Sequence, residues 1–102
     1  MGSSRAYALS QILKIDKQIT KASKSIRYRK IQKYTNALRG KTGTSIVVVE
    51  DPMNMGDMIQ VRRNSSEAKN YLAYYESLLR DYQIMFEKLN RLKKSYTKEL
   101  FE

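Results

Sequence analysis

Apolar residues recur along the first third of the chain at Ile12, Ile15, Ile19, Ala22 and Ile26, the alternating three-and-four spacing of a coiled-coil seam. Beyond Ile26 the apolar set moves to Ile31, Tyr34 and Leu38, because Arg29 and Lys33 hold the positions that a strict heptad would make apolar. One helix from about Ser4 to Arg39 accommodates both runs, with a local change of winding near residues 27 to 30. Gly40 then stands where a left-handed C-cap would end it. The last third is more regular, with Ala68, Leu72, Tyr75, Leu79, Tyr82 and Phe86 alternating by four and three. Asn64-Ser65-Ser66-Glu67 just before it reads as a capping box, so a second helix is predicted over residues 66 to 101.

Between the two helices, Thr44 to Val49 is a β-branched run and Met58 to Arg62 alternates apolar with polar. The segment joining them holds Pro52 and Gly56, which mark a turn, so residues 44 to 62 are predicted to form a β-hairpin. The fold class follows: mainly α, two long antiparallel helices in a coiled-coil-like helical hairpin, joined by a short β-hairpin. Folding the arms together sets Tyr34 near Leu72, Ile26 near Leu79, Ile19 near Phe86, and Ile12 near Lys93 or Tyr96. At 102 residues the chain has room for a single domain, and so small a domain has a thin core. The second arm also carries Tyr71, Tyr74, Leu78, Met85 and Leu92 outside its strict seam. That stripe is wider than one partner helix covers, and a two-stranded sheet is marginal alone, so a homo-oligomer is expected.

Charge changes this picture from a scaffold to a surface. The formal net charge is +10, and residues 1 to 42 hold eleven Lys and Arg against one acid, Asp16, while the rest of the chain is balanced. Lys14, Lys17, Lys21 and Lys24 are spaced to share one helix face opposite the isoleucine seam, and Arg27, Arg29, Lys30 and Lys33 extend it. Seven like-charge pairs lie three or four residues apart here, a cost of about 1.5 to 3.5 kcal/mol before salt screening. The second arm's acids have bases of their own at helical spacing, Glu76 with Arg80 and Glu87 with Arg91, so an external polyanion is the expected partner. That anion is an acidic protein surface, a nucleic-acid backbone or anionic lipid; a solvated lysine face kept for solubility is the plain alternative.

Two further clusters are candidate contacts. Met53, Met55 and Met58 crowd the hairpin tip, where methionine either adapts to a partner surface or fills a small core beneath the strands. Of the tyrosines near the hairpin end, Tyr34 and Tyr75 fall on the seams, leaving Tyr28, Tyr71 and Tyr74 as contact residues. The acids Glu50, Asp51 and Asp57 make the tip the one anionic place on the chain, able to meet the basic arm of a neighbouring copy.

Catalytic chemistry is poorly supplied. The chain has no histidine and no cysteine, which removes the usual general base, the thiol nucleophile and most transition-metal ligands. Gly40-Lys41-Thr42 echoes the end of a phosphate-binding loop, but Thr35 stands where its other glycine belongs. No enzyme and no cofactor are expected. No run approaches the length of a membrane span, so the default location is intracellular and cytoplasmic.

The order helix, hairpin, helix resembles that of prefoldin β subunits, whose coiled-coil arms project from a β-structured assembly platform. The likeness spans the whole length and rests on element order, and it implies a holdase-like chaperone or protein-binding module. The leading expectation is a non-enzymatic, oligomeric structural or adaptor protein whose basic first helix faces an anionic partner. Compact Lys- and Tyr-rich chains of this kind suit a viral particle or another large assembly. The other expectation is a nucleic-acid-binding protein, or an inhibitor or cofactor of nucleic-acid machinery.

Overall fold

The computed structural model describes residues 2–40, 45–54 and 56–101, with side chains from Ser4 onward. The described part is mainly helical, in the order α1 (Gly2–Ser23), α2 (Ile26–Arg39), β1 (Ile46–Glu50), β2 (Met58–Arg62) and α3 (Ser66–Phe101). A helical hairpin carrying a β-hairpin is therefore present, but its first arm is two helices instead of one. The break falls at Lys24 and Ser25, just before the change of winding expected from the heptad shift.

Serine chemistry causes it. The Ser25 hydroxyl accepts the Tyr28 N–H at 3.2 Å and donates to the Ala22 carbonyl at 2.8 Å, while the Ser23 hydroxyl donates to the Thr20 carbonyl at 3.0 Å. One side chain thus closes α1 and caps α2, satisfying groups that a helix end leaves open. Ile26 becomes the first residue of α2 and is 74% exposed, so it drops out of the isoleucine seam. Tyr28 takes its place.

By contact the chain divides into two compact units, Met1–Tyr28 with Asp81–Glu102, and Arg29–Arg80. In the first unit α1 runs antiparallel to the end of α3: Tyr7 meets Tyr96 edge-on at 6.1 Å, Asp16 pairs with Lys93 at 2.7 Å, and Tyr28 packs on Tyr82 at 4.9 Å and Phe86 at 5.4 Å. Lys93, Tyr96 and Phe86 are residues the seam pairing singled out, but side chains beside the seam engage them. The core here is thin, with Ala8, Ile12 and Ile15 buried.

The second unit is better filled. β1 and β2 pair antiparallel, with Val47 opposite Val61 and Val49 opposite Ile59. Val47, Val49 and Val61 are buried, whereas Ile46, Val48 and Met58 on the other side of the pleat are exposed. Ile31, Tyr34 and Thr35 of α2 and Ala68 and Tyr75 of α3 complete the buried set, with the Tyr34 and Tyr75 rings 5.6 Å apart. Thr35 is fully buried and its hydroxyl is satisfied by the Ile31 carbonyl at 2.7 Å, which removes the desolvation cost it would otherwise carry.

Both expected caps are present in altered form. Gly40 does not take the left-handed conformation; the Arg63 guanidinium donates instead to the carbonyls of Gly40 and of Ala37, the latter at 3.1 Å. A cation at that end also favours the helix dipole. Ahead of α3 the cap is Ser65, whose hydroxyl accepts the Ala68 N–H at 3.1 Å, while Asn64 adopts a positive φ of 67°. Glu67 then lies at the second helical position, one short of the reciprocal position of a capping box.

Because Ser25 serves both helices, Ser25→Ala should lower unfolding stability by about 1 kcal/mol. Urea denaturation followed by circular dichroism measures this, and Ser77→Ala, at an exposed position of α3, serves as the neutral control.

A candidate polyanion-facing surface and the hairpin tip

The eight basic residues singled out by spacing separate into two groups. Lys14, Lys17, Lys21, Lys24 and Arg27 belong to the first unit and are all exposed. Arg29, Lys30 and Lys33 belong to the second, where Arg29 and Lys33 are exposed and Lys30 is half-buried. Among the described residues, Lys30 alone of the eight makes an ion pair. Lys33 lies 5.9 Å from the Tyr34 ring centre, a cation over an aromatic face.

Asp16, the one acid of the basic segment, does not relieve its neighbours. Its carboxylate lies 2.7 Å from the Lys93 ammonium of α3. The second arm therefore takes a negative charge from the basic face in place of lending one. In the other direction Glu76 meets Arg39 at 3.5 Å, so its helix-spaced pairing with Arg80 is replaced, whereas Glu87 keeps Arg91 at 3.9 Å. The helix break also lessens the repulsion expected from spacing, because the pairs 21/24 and 24/27 no longer sit on one continuous helix.

Leu9 and Leu13 were not singled out by the sequence reading, since both fall off the seam. They are 50% and 55% exposed and line shallow grooves on α1 together with Lys14, Lys17 and Lys21. Their alternation with the lysines was the available signal. The result is a cationic surface with apolar floor, able to hold phosphate or carboxylate groups and also the aliphatic part of a partner.

The hairpin tip departs from expectation in its charge. Glu50 is 4% exposed, not part of an anionic tip. The Lys30 ammonium sits 3.3 Å from both of its carboxylate oxygens, and the Gly56 N–H donates to Oε1 at 2.9 Å. The Lys30 approach to Oε2 lacks hydrogen-bond geometry, so among the described residues that oxygen is buried without a donor. Gly56 reaches its place with a φ of 110°, which a side chain would strain. Glu50 thus meets a cation of the basic arm within its own chain.

Met53 and Met58 are 81% and 55% exposed, which decides against core filling for these two. Met55 lies outside the described residues. An Asx turn orders the tip, with the Met53 N–H on Asp51 Oδ1 at 2.9 Å. Tyr74 is 41% exposed and leans edge-on against Tyr75 at 6.2 Å, while Tyr71 is half-buried. Tyr28 is withdrawn from the contact set by its packing on Tyr82 and Phe86.

With this geometry in hand, neither a protein-family model, nor a curated protein, nor a solved structure matches the chain. Among the described residues no helix is long and apolar enough to cross a membrane.

Tyr75 joins α3 to the hairpin by donating its hydroxyl to the Glu50 carbonyl. Burial, then the neighbouring Tyr34 and Glu50, pushes its phenol up from 10.0 to about 12. The folded state therefore holds this proton to higher pH than the unfolded chain does, so its contribution is complete below pH 10 and lost as pH rises toward 12. Across that window the wild-type folding constant should fall by up to about tenfold per pH unit from this group. Denaturation of Tyr75→Phe over the same range should show a shallower fall.

Proposed function

We propose that the protein is a non-enzymatic, self-associating helical-hairpin component of a larger intracellular assembly, a structural or adaptor element whose α1 faces a polyanion. Coiled-coil-like packing of its arms supplies the scaffold. The observation that carries this reading is the contrast between Lys30, taken up by Glu50, and Lys14, Lys17, Lys21 and Lys24, which are exposed and make no ion pair among the described residues. A chain that needed those lysines only internally would meet them with acids, and Asp16 is turned to Lys93 instead. Phosphate or carboxylate arrays then lie along α1, held by charge with little base readout. The exposed Met53 and Met58, with Tyr74, are the second contact surface, suited to an apolar protein partner.

Fluorescence anisotropy with duplex DNA, single-stranded RNA and polyglutamate, at two salt concentrations, tests the charged face. The quadruple change Lys14→Gln, Lys17→Gln, Lys21→Gln, Lys24→Gln should weaken nucleic-acid binding and reduce the log–log salt slope by roughly 3 to 4. Its stability should hold or rise slightly as like-charge repulsion disappears, whereas Lys30→Gln should lower stability by stranding Glu50. Polyglutamate binding without nucleic-acid binding would identify an acidic protein partner; no binding to any of the three at low salt would sink the reading.

A further inference from the structure

Each edge of the two-stranded hairpin has one carbonyl taken from outside, and the β2 edge keeps open groups at Met58 and Gln60. Hydrogen bonds from the Arg63 N–H to the Ser45 carbonyl at 2.7 Å and from the Asp51 N–H to the Asp57 carbonyl at 2.8 Å fix the alternation of the ladder. Stepping inward by two, residues 47 and 49 bond to 61 and 59, and residues 46, 48, 50 and 58, 60, 62 turn their backbone groups outward. On the β1 edge the Glu50 carbonyl accepts the Tyr75 hydroxyl. On the β2 edge the Arg62 carbonyl is used by Ser65, through its N–H at 3.1 Å and its hydroxyl at 2.6 Å. Met58 and Gln60 are left with outward N–H and C=O groups that have no partner among the described residues, in a strand whose outward side chains are all exposed.

We propose that this edge docks a second copy of the chain, β2 against β2, antiparallel about a two-fold axis through Gln60. The product is a four-stranded sheet in the order β1-β2-β2-β1. Self-complementarity selects the occupant and the register. With Gln60 facing Gln60 all five residues of each strand are paired, and each Gln60 N–H meets the other Gln60 carbonyl. Arg62 faces Met58, and its N–H meets the Met58 carbonyl, while the Arg62 carbonyl stays with Ser65. The two Arg62 residues are about 14 Å apart along the ladder, whereas moving the axis to Arg62 would set them face to face. Pairing also removes the open edge and turns a marginal two-stranded sheet into one of four strands.

This inference rests on the self-association in the proposed function and not on its lysine face, so the two can fail separately. The full chain has no cysteine, which makes single-cysteine crosslinking clean. Paired residues at such a site have Cα atoms about 5.5 Å apart, within disulfide range. Light scattering at tens of micromolar should give a dimer for the wild type and for the quadruple lysine variant. Gln60→Pro removes only an outward N–H and should give a folded monomer. Under mild oxidation Gln60→Cys should form a covalent dimer, while Val48→Cys, on the same face one strand away, should not. A monomeric wild type, a Gln60→Cys chain that stays uncrosslinked where the wild type is dimeric, or equal crosslinking from Val48→Cys would each overturn the proposal. Loss of polyanion binding with Gln60→Cys crosslinking intact would remove only the charged-face reading.

Discussion

The second unit is organised around a single buried carboxylate. Glu50 ends β1, yet its side chain holds the Lys30 ammonium of α2 and the Gly56 N–H of the loop, and its carbonyl takes the Tyr75 hydroxyl of α3. Three segments, α2, the loop and α3, thus meet at one residue of β1. Burying a carboxylate is costly unless it is paired and hydrogen-bonded, and here Oε1 is hydrogen-bonded while Oε2, among the described residues, has only the Lys30 ion pair. Such an arrangement contributes more to fixing which strand faces which helix than to raw stability. The apolar contacts of Val47, Val49 and Val61 supply the latter.

That convergence also divides the basic residues by role. A lysine on α2 is needed to neutralise Glu50, and an arginine after β2 is needed to close the end of α2. Lys30 and Arg63 are therefore structural cations. The lysines of α1 have no such duty, and the one acid among them is drawn away by Lys93. Net charge alone does not distinguish these groups; partners do.

The fold was largely legible from periodicity. The strands, the turn and the second helix follow from residues whose local preferences and tertiary roles agree, as with Val47 and Val49 or the Ala68, Leu72, Tyr75 series. The first arm was misread where two signals competed: the isoleucine heptad favoured continuity through Ile26, while Ser23 and Ser25 offered hydroxyls that end and restart a helix. For the candidate surface, Lys14, Lys17, Lys21 and Lys24 are exposed, with Lys24 in the break after α1. Spacing could not reveal that Glu50 is buried or that Arg63 reaches back to Ala37, because both depend on contacts twenty or more residues away in sequence.

The break at Ser25 has a geometric consequence. A straight α-helix drifts by about 20° per heptad against a seven-residue repeat, so a long arm must either supercoil or let its apolar stripe wander off its neighbour. Ending α1 after Ser23 limits the drift that any one helix accumulates. α2 then starts with Ile26 exposed and buries Ile31 and Tyr34. Two serines therefore let each helix keep its own set of apolar positions, Ile12 and Ile15 in α1 and Ile31 and Tyr34 in α2, in place of one continuous seven-residue repeat.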